Sequence, residues 1–191
     1  MVELLVIMAI IGILTAITLQ AVSGLMAAAS RSRAKAEIKG MELSLENYKT
    51  DNGAYPICAS MATTDYTKYD GSGTSTNYIY GAQILYQSIT GKTNYLDPPL
   101  PGTKSYGSFK VGQLGNASSV AGNSGPNVTY VQDPWTYAYG YSTGTTSGST
   151  NFPPINGTGF FDLWSTGGNI VTSPNNVFTN TAAWMANWPN Q

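Results

Sequence analysis

No proline interrupts the chain before Pro56, and its pattern up to that point is helical. The stretch Leu4–Leu19 (LLVIMAIIGILTAITL) carries no charge. As a helix it spans about 24 Å, a little less than a bilayer core of about 30 Å. The uncharged run continues to Ser30, with Val22, Leu25 and Met26 among small residues, so a membrane span is feasible. Glu3 stands at the head of this stretch. A secretory signal peptide places Lys or Arg ahead of its apolar run and a cleavage site behind it. With Glu3 as the flank, a signal peptide is not expected.

Further along, the helix changes character. Ile38, Met41, Leu45 and Tyr48 recur at spacings of three, four and three, which puts them on one stripe. Glu37, Lys39, Glu42 and Glu46 lie off it. Gly24 and Gly40 weaken the pattern by about 1 kcal/mol each without breaking it. A single helix over about residues 2–50, about 75 Å long, is therefore expected. It should stop at Thr50–Pro56 (TDNGAYP), where Asn52-Gly53 supplies a left-handed cap and Pro56 blocks continuation. Residues 1–23 form its hydrophobic half. Residues 24–191 form a globular head, divided into the amphipathic half 24–50, a loop region 51–126, and an antiparallel sheet with a tail over 127–191.

Within the loop region, Tyr78–Ile89 (YIYGAQILYQSI) is the strongest apolar island and suggests a short helix, and Asp97–Gly102 (DPPLPG) reads as a rigid turn. Strands are expected at Asn127–Gln132, Thr136–Ser142 and Gly159–Trp164, with Asp133–Trp135 as a turn and Tyr137, Tyr139 and Tyr141 on one face. Three such strands in one sheet could cover the helix stripe, an α+β layering. Ser142–Thr158 is too long for a tight connection and belongs on the outer surface. Trp184 and Trp188 are four apart, so one helical turn would align them to dock the C-terminus on the sheet.

The chemistry is sparse. The net charge is -1, only 10% of the residues are charged, and there is no histidine. That removes His-based acid–base catalysis and most zinc sites. The single cysteine, Cys58, excludes an intramolecular disulfide, lacks a histidine to activate it, and is expected to be a buried structural thiol. Arg31, Arg33, Lys35 and Lys39 are interleaved with Glu37 and Glu42, a solvated helix face rather than a nucleic-acid site. Thr90–Thr93 (TGKT) lacks the upstream glycine of a phosphate loop, since Tyr86 stands there. Gly71–Thr76 reads as plain loop, and Asp65 and Asp70 as solvated acids. No enzyme is expected. Near-zero net charge favours self-association.

Four stretches of the chain carry a family resemblance. Val2–Leu14 (VELLVIMAIIGIL) resembles the N-terminal segment of type IV pilins and type II secretion pseudopilins. Tyr48–Pro56 (YKTDNGAYP), Asp133–Tyr141 (DPWTYAYGY) and Phe161–Gly168 (FDLWSTGG) resemble the major pseudopilin branch. The likeness covers the first 56 residues and two short later blocks, not the middle or the tail. It implies a pilin-like α+β fold and a subunit that waits in the bacterial inner membrane. After a prepilin peptidase has removed a leader and the new N-terminus has been methylated, assembly machinery adds the subunit to a helical homopolymer. Glu3 matches the acid that meets a neighbouring subunit's N-terminal amine. Leu4, Leu5, Val6, Ile7, Ile10, Ile11, Gly12 and Leu14 would pack the filament core. The family usually carries two residues more before this acid, so that amine is expected to belong to residues ahead of Met1. It also often has a proline where Gln20 stands; Gly12, Thr15 and Thr18 could still let the helix loosen inside a filament.

Major pseudopilins commonly bind calcium in the loop matching residues after Phe161–Gly168. Here Leu163, Ser165 and Asn169 mark that loop, with Asn175 and Asn176 where acids are usual. Calcium prefers carboxylate oxygens, so no metal and no cofactor is expected. Asn116, Asn127 and Asn156 head Asn-x-Ser/Thr triplets and are candidate glycosylation sites. Three roles remain for comparison: the major subunit of an extracellular type IV pilus-like filament, the major pseudopilin of a periplasmic pseudopilus in type II secretion, and a minor tip subunit or membrane-anchored adhesin. The polar extra length of the loops suits a surface filament best.

Overall fold

The computed structural model of the chain describes residues 2–57, 76–117, 128–143, 156, 159–168 and 184–188; the side chains of 17–23, 76–80, 116, 117 and 128 lie outside that description. The architecture is α+β, with a long N-terminal helix followed by small antiparallel sheets. Helix α1 runs from Val2 to Asn52 without a break, through Gly12, Gly24 and Gly40. It ends as the sequence predicts. Gly53 adopts φ 78°, and its N–H donates to the Lys49 carbonyl at 2.7 Å. An L-residue would be strained there; glycine is not.

The second half of α1 buries one stripe. Ala34, Ile38, Met41 and Leu45 are all buried, while Tyr48 is half-buried. This face meets α2, β4 and β5. Helix α2 spans Thr76–Thr90 and buries Ala82, Leu85, Tyr86 and Ile89. Its helical spacing turns these side chains toward α1 and the strands. The island expected in the loop region is thus a full core helix.

Two sheets replace the single three-stranded sheet expected. In the first, β1 (Leu114–Ala117) pairs antiparallel with β2 (Val128–Val131), Leu114 lying opposite Val131. In the second, β3 (Gly140–Ser142), β4 (Asp162–Ser165) and β5 (Met185–Ala186) follow one another, with Gly140 opposite Trp164 and Trp164 opposite Ala186. The split has a local cause. Between β2 and β3 the chain turns at Asp133–Thr136, with Thr136 at φ 70°, and only a Gln132–Ala138 bridge continues the pairing. The expected strand Thr136–Ser142 therefore shrinks to its last three residues. Likewise Gly159 sits at φ 86°, which delays the strand expected from Gly159 until Asp162.

Strand β1 was not anticipated, because LGNA carries no alternation. The C-terminal aromatic pair does dock on the sheet, but not through a helical turn. Met185 and Ala186 form β5, and Trp184 and Trp188 flank it. Trp184 stacks on Trp164 with ring centroids 6.2 Å apart, and Trp188 lies 5.9 Å from the same ring. Pairing with the edge of β4 satisfies backbone groups that one isolated helical turn would leave open.

Candidate functional site

The large apolar side chains at the start of α1 are exposed rather than buried in the head. Val2, Leu4, Leu5, Val6, Ile7, Ile10, Ile11 and Leu14 are exposed at 51–78% of their surface, as are Met8 and Ile13. The exposure goes all round the helix, so no face is reserved for the head. Such an apolar area far exceeds what a monomer leaves to water without a partner. Gly12 adds no side chain there, and its position has open space on all sides. Glu3 lies in the first turn of α1 and is exposed. A carboxylate at a helix N-terminus faces the positive end of the helix dipole. No ion pair engages it among the described residues. Also among the described residues, no helix is long and apolar enough to cross a membrane. Part of the stretch read as a feasible span, residues 17–23, falls on side chains outside the description.

The head is fastened to the other half of the helix by tyrosine hydroxyls. Tyr139 is fully buried, and its O–H donates to Glu37 Oε2 at 2.6 Å. Arg33 Nε donates to the other oxygen of the same carboxylate at 2.7 Å. Tyr55 O–H donates to Glu46 Oε1 at 2.6 Å, and Tyr141 O–H donates to the Pro56 carbonyl at 2.9 Å. Burial, followed by the neighbouring Glu37 carboxylate, pushes the Tyr139 hydroxyl far up; burial and Glu46 push Tyr55 to about 12. These phenols stay protonated donors at any physiological pH. Glu37 and Glu46, off the apolar stripe in the sequence, are thus the polar sockets of the head. The basic face of α1 is solvated as expected: Arg31, Arg33, Lys35 and Lys39 are exposed, and Lys39 pairs with Glu42 at 2.7 Å.

The blocks Asp133–Tyr141 and Phe161–Gly168 meet at a buried carboxylate. Asp133 is 1% exposed. Its Oδ1 accepts the backbone N–H of Trp135 at 3.0 Å and of Tyr137 at 2.9 Å, an Asx-type turn. Its Oδ2 accepts the Ser165 hydroxyl at 2.5 Å, and Ser165 Oγ accepts the Gly167 N–H at 3.1 Å. Gly168, at φ 80°, lies against the Trp135 ring so closely that an added Cβ would come within 2.8 Å of it. Burial raises the Asp133 pKa, against the hydrogen bonds from Ser165, Tyr137 and Trp135 that lower it. Nothing in the sequence marked Asp133 as more than a turn residue.

That knot bears on the calcium loop. Leu163 and Ser165 are buried, and the Ser165 hydroxyl is committed as donor to Asp133 and acceptor from Gly167. The Ser165 hydroxyl thus serves the Asp133 knot in this arrangement. Among the described residues no three His, Cys, Asp or Glu side chains gather. Asn169, Asn175 and Asn176 lie outside those residues, as do Cys58, Asp65, Asp70 and Asn127. Of the remaining sequon asparagines, Asn116 sits in β1 opposite Thr129. Asn156 is pinned: Nδ2 donates to the Phe161 carbonyl at 2.9 Å and to Asn187 Oδ1 at 3.1 Å. Both amide hydrogens are used, so a glycan on Asn156 would have to displace these contacts.

Comparison with family models, with curated proteins and with solved structures found no match for this chain. What stands is a class set by architecture: an α+β head fastened on the second half of a continuous helix whose first turns are apolar, exposed and headed by an acid.

Proposed function

We propose that this chain is the major structural subunit of an extracellular type IV pilus-like filament, held together by bundled N-terminal helices. One observation carries the reading: ten large apolar side chains between Val2 and Leu14 are exposed all round a helix that continues unbroken into the core of the head. Such a helix half needs an apolar environment, and two fit. Before assembly it is the lipid of the bacterial inner membrane; afterwards it is the helices of neighbouring copies. The pilin-like motif of Val2–Leu14 supports a filament subunit, and the polar extra length of the loops suits a surface filament.

Glu3 then serves as the docking group. A lone carboxylate in hydrocarbon is costly, and pairing with a neighbour's N-terminal ammonium offsets its desolvation. Such a pair contributes register more than net stability. The partners are copies of this chain, a prepilin peptidase and the assembly machinery. No cofactor and no enzymatic step is part of the proposal. The reading is tested by imaging the surface of cells whose only copy of the subunit is Glu3→Ala. Loss of filaments with the subunit still present in the inner membrane is expected; filaments at normal yield would overturn the assembly role.

A further inference from the structure

The C-terminal ends of α1 and α2 and the segment after Pro101 border an open cleft of about 400 Å³, with Tyr48, Asp51, Gln87, Ser88, Lys104 and Tyr106 on its walls. That is within the size range of about 300–1,000 Å³ typical of small-molecule sites. Gly91 and Gly102 also line it, at φ 69° and 78°.

The walls have a definite chemistry. Lys104 Nζ donates to Asp51 Oδ2 at 2.6 Å, so the two charges on the walls cancel. The Lys104 ammonium lies 5.4 Å from the Tyr106 ring centre, and Tyr106 stands edge-on to Tyr48, centroids 5.3 Å apart at 63°. Asn52 Nδ2 donates to the Tyr106 hydroxyl oxygen at 3.0 Å and to the Tyr48 backbone carbonyl at 2.9 Å, which ties the Tyr106 ring to the end of α1. Gln87 reaches only the Thr93 carbonyl, at 3.5 Å, the limit of a hydrogen bond.

Several ligand classes fit poorly. A simple ion finds no net charge. A flat base finds no slot between the two rings, because they are inclined at 63° and meet edge to face. An apolar ligand would displace water from the Gln87 amide and the ion pair and offer no hydrogen bond in its place. A sugar ring fits each requirement. Its hydroxyls donate and accept, so one hydroxyl can bridge a carboxylate and an ammonium, and an amide can hold two adjacent ones. Its C–H face packs on a tyrosine ring. We propose that this cleft binds a neutral hexopyranose, through hydroxyl hydrogen bonds to Asp51, Gln87 and Lys104 and ring contact with Tyr48 and Tyr106. The proposal is independent of filament formation, since the cleft lies wholly within one head.

The test is a titration of the full chain, held in a detergent without sugar headgroups and followed by NMR of the Gln87 side-chain amide and neighbouring backbone amides. The probes are methyl α-glucopyranoside, methyl α-mannopyranoside and methyl β-galactopyranoside, with glycine as a small zwitterion control. Saturable shifts confined to the cleft are expected with at least one glycoside, at a dissociation constant in the millimolar range. Gln87→Ala should weaken that binding about tenfold, the loss of one well-placed hydrogen bond. Ser88→Trp, which fills the cleft, should abolish it while thermal melting shows a folded head. The proposal is overturned if no glycoside gives saturable shifts, if glycine matches them, or if Gln87→Ala binds as the wild type does.

Discussion

At the scale of single residues, Asp133 and Gly140 decide more than their types suggest. Asp133 is a carboxylate buried with three hydrogen-bond donors and, among the described residues, no ion-pair partner. Burial holds its pKa above the unfolded value of about 4. A raised pKa has a definite sign: the stability it contributes is complete below the unfolded value and is lost as pH rises through the folded one. The nearby Glu37 carboxylate pushes in the same direction. Asp133→Asn keeps an acceptor for the Trp135 and Tyr137 N–H groups but cannot titrate. Thermal melting from about pH 4 to pH 7 should therefore show the wild type losing stability relative to Asp133→Asn. A constant difference between the two would sink this account. Gly140 is crowded by a neighbour: a Cβ there would run into the Trp164 indole across the β3–β4 pair. Gly140→Ala should lower stability by about 1–3 kcal/mol, the usual cost of overpacking, read from the urea midpoint.

At the scale of elements, α1 carries two faces in one chain segment. Its buried stripe in the head was legible in the sequence, because a spacing of three and four is enough to place Ile38, Met41 and Leu45 together. Leu43 breaks that spacing and is 65% exposed. Leu45→Ala should thus cost about 2–5 kcal/mol through a cavity. Leu43→Ala should stay within about 0.5 kcal/mol. Equal effects in denaturant unfolding would refute the stripe. The strands were harder to read. Val128–Val131 stands out by β-branched residues, whereas β1 and β5 are short and plain in sequence. Their existence depends on a partner edge, and pairing across long separations leaves no local trace. The break at Thr136 is similar: a threonine at positive φ is held there by the Asp133 turn, not by its own preference.

At the scale of the whole molecule, assembly and folding are separable. The head is fastened to residues 33–56 of the chain through Glu37, Glu46 and the Pro56 carbonyl, while Glu3 lies far along the same helix. Glu3→Ala should consequently leave the melting of the head unchanged while the number of filaments per cell falls. A shift in melting would show that Glu3 serves the fold instead. The amino-acid sequence alone determined the long helix, its stop at Asn52-Gly53, its apolar first half and the acid at its head. All are set by neighbours within about one helical turn, where spacing and caps act directly. Only the tertiary structure decided which polar residues matter. Glu37 and Glu46 became sockets for tyrosines, and Asp133 became the knot between two blocks some thirty residues apart. Tyr48 and Asp51 joined a cleft with Lys104 and Tyr106 across more than fifty residues. A carboxylate looks the same in sequence whether solvated or buried. Its role depends on what folding brings against it, and burial makes each unmatched polar group costly enough to select its partner.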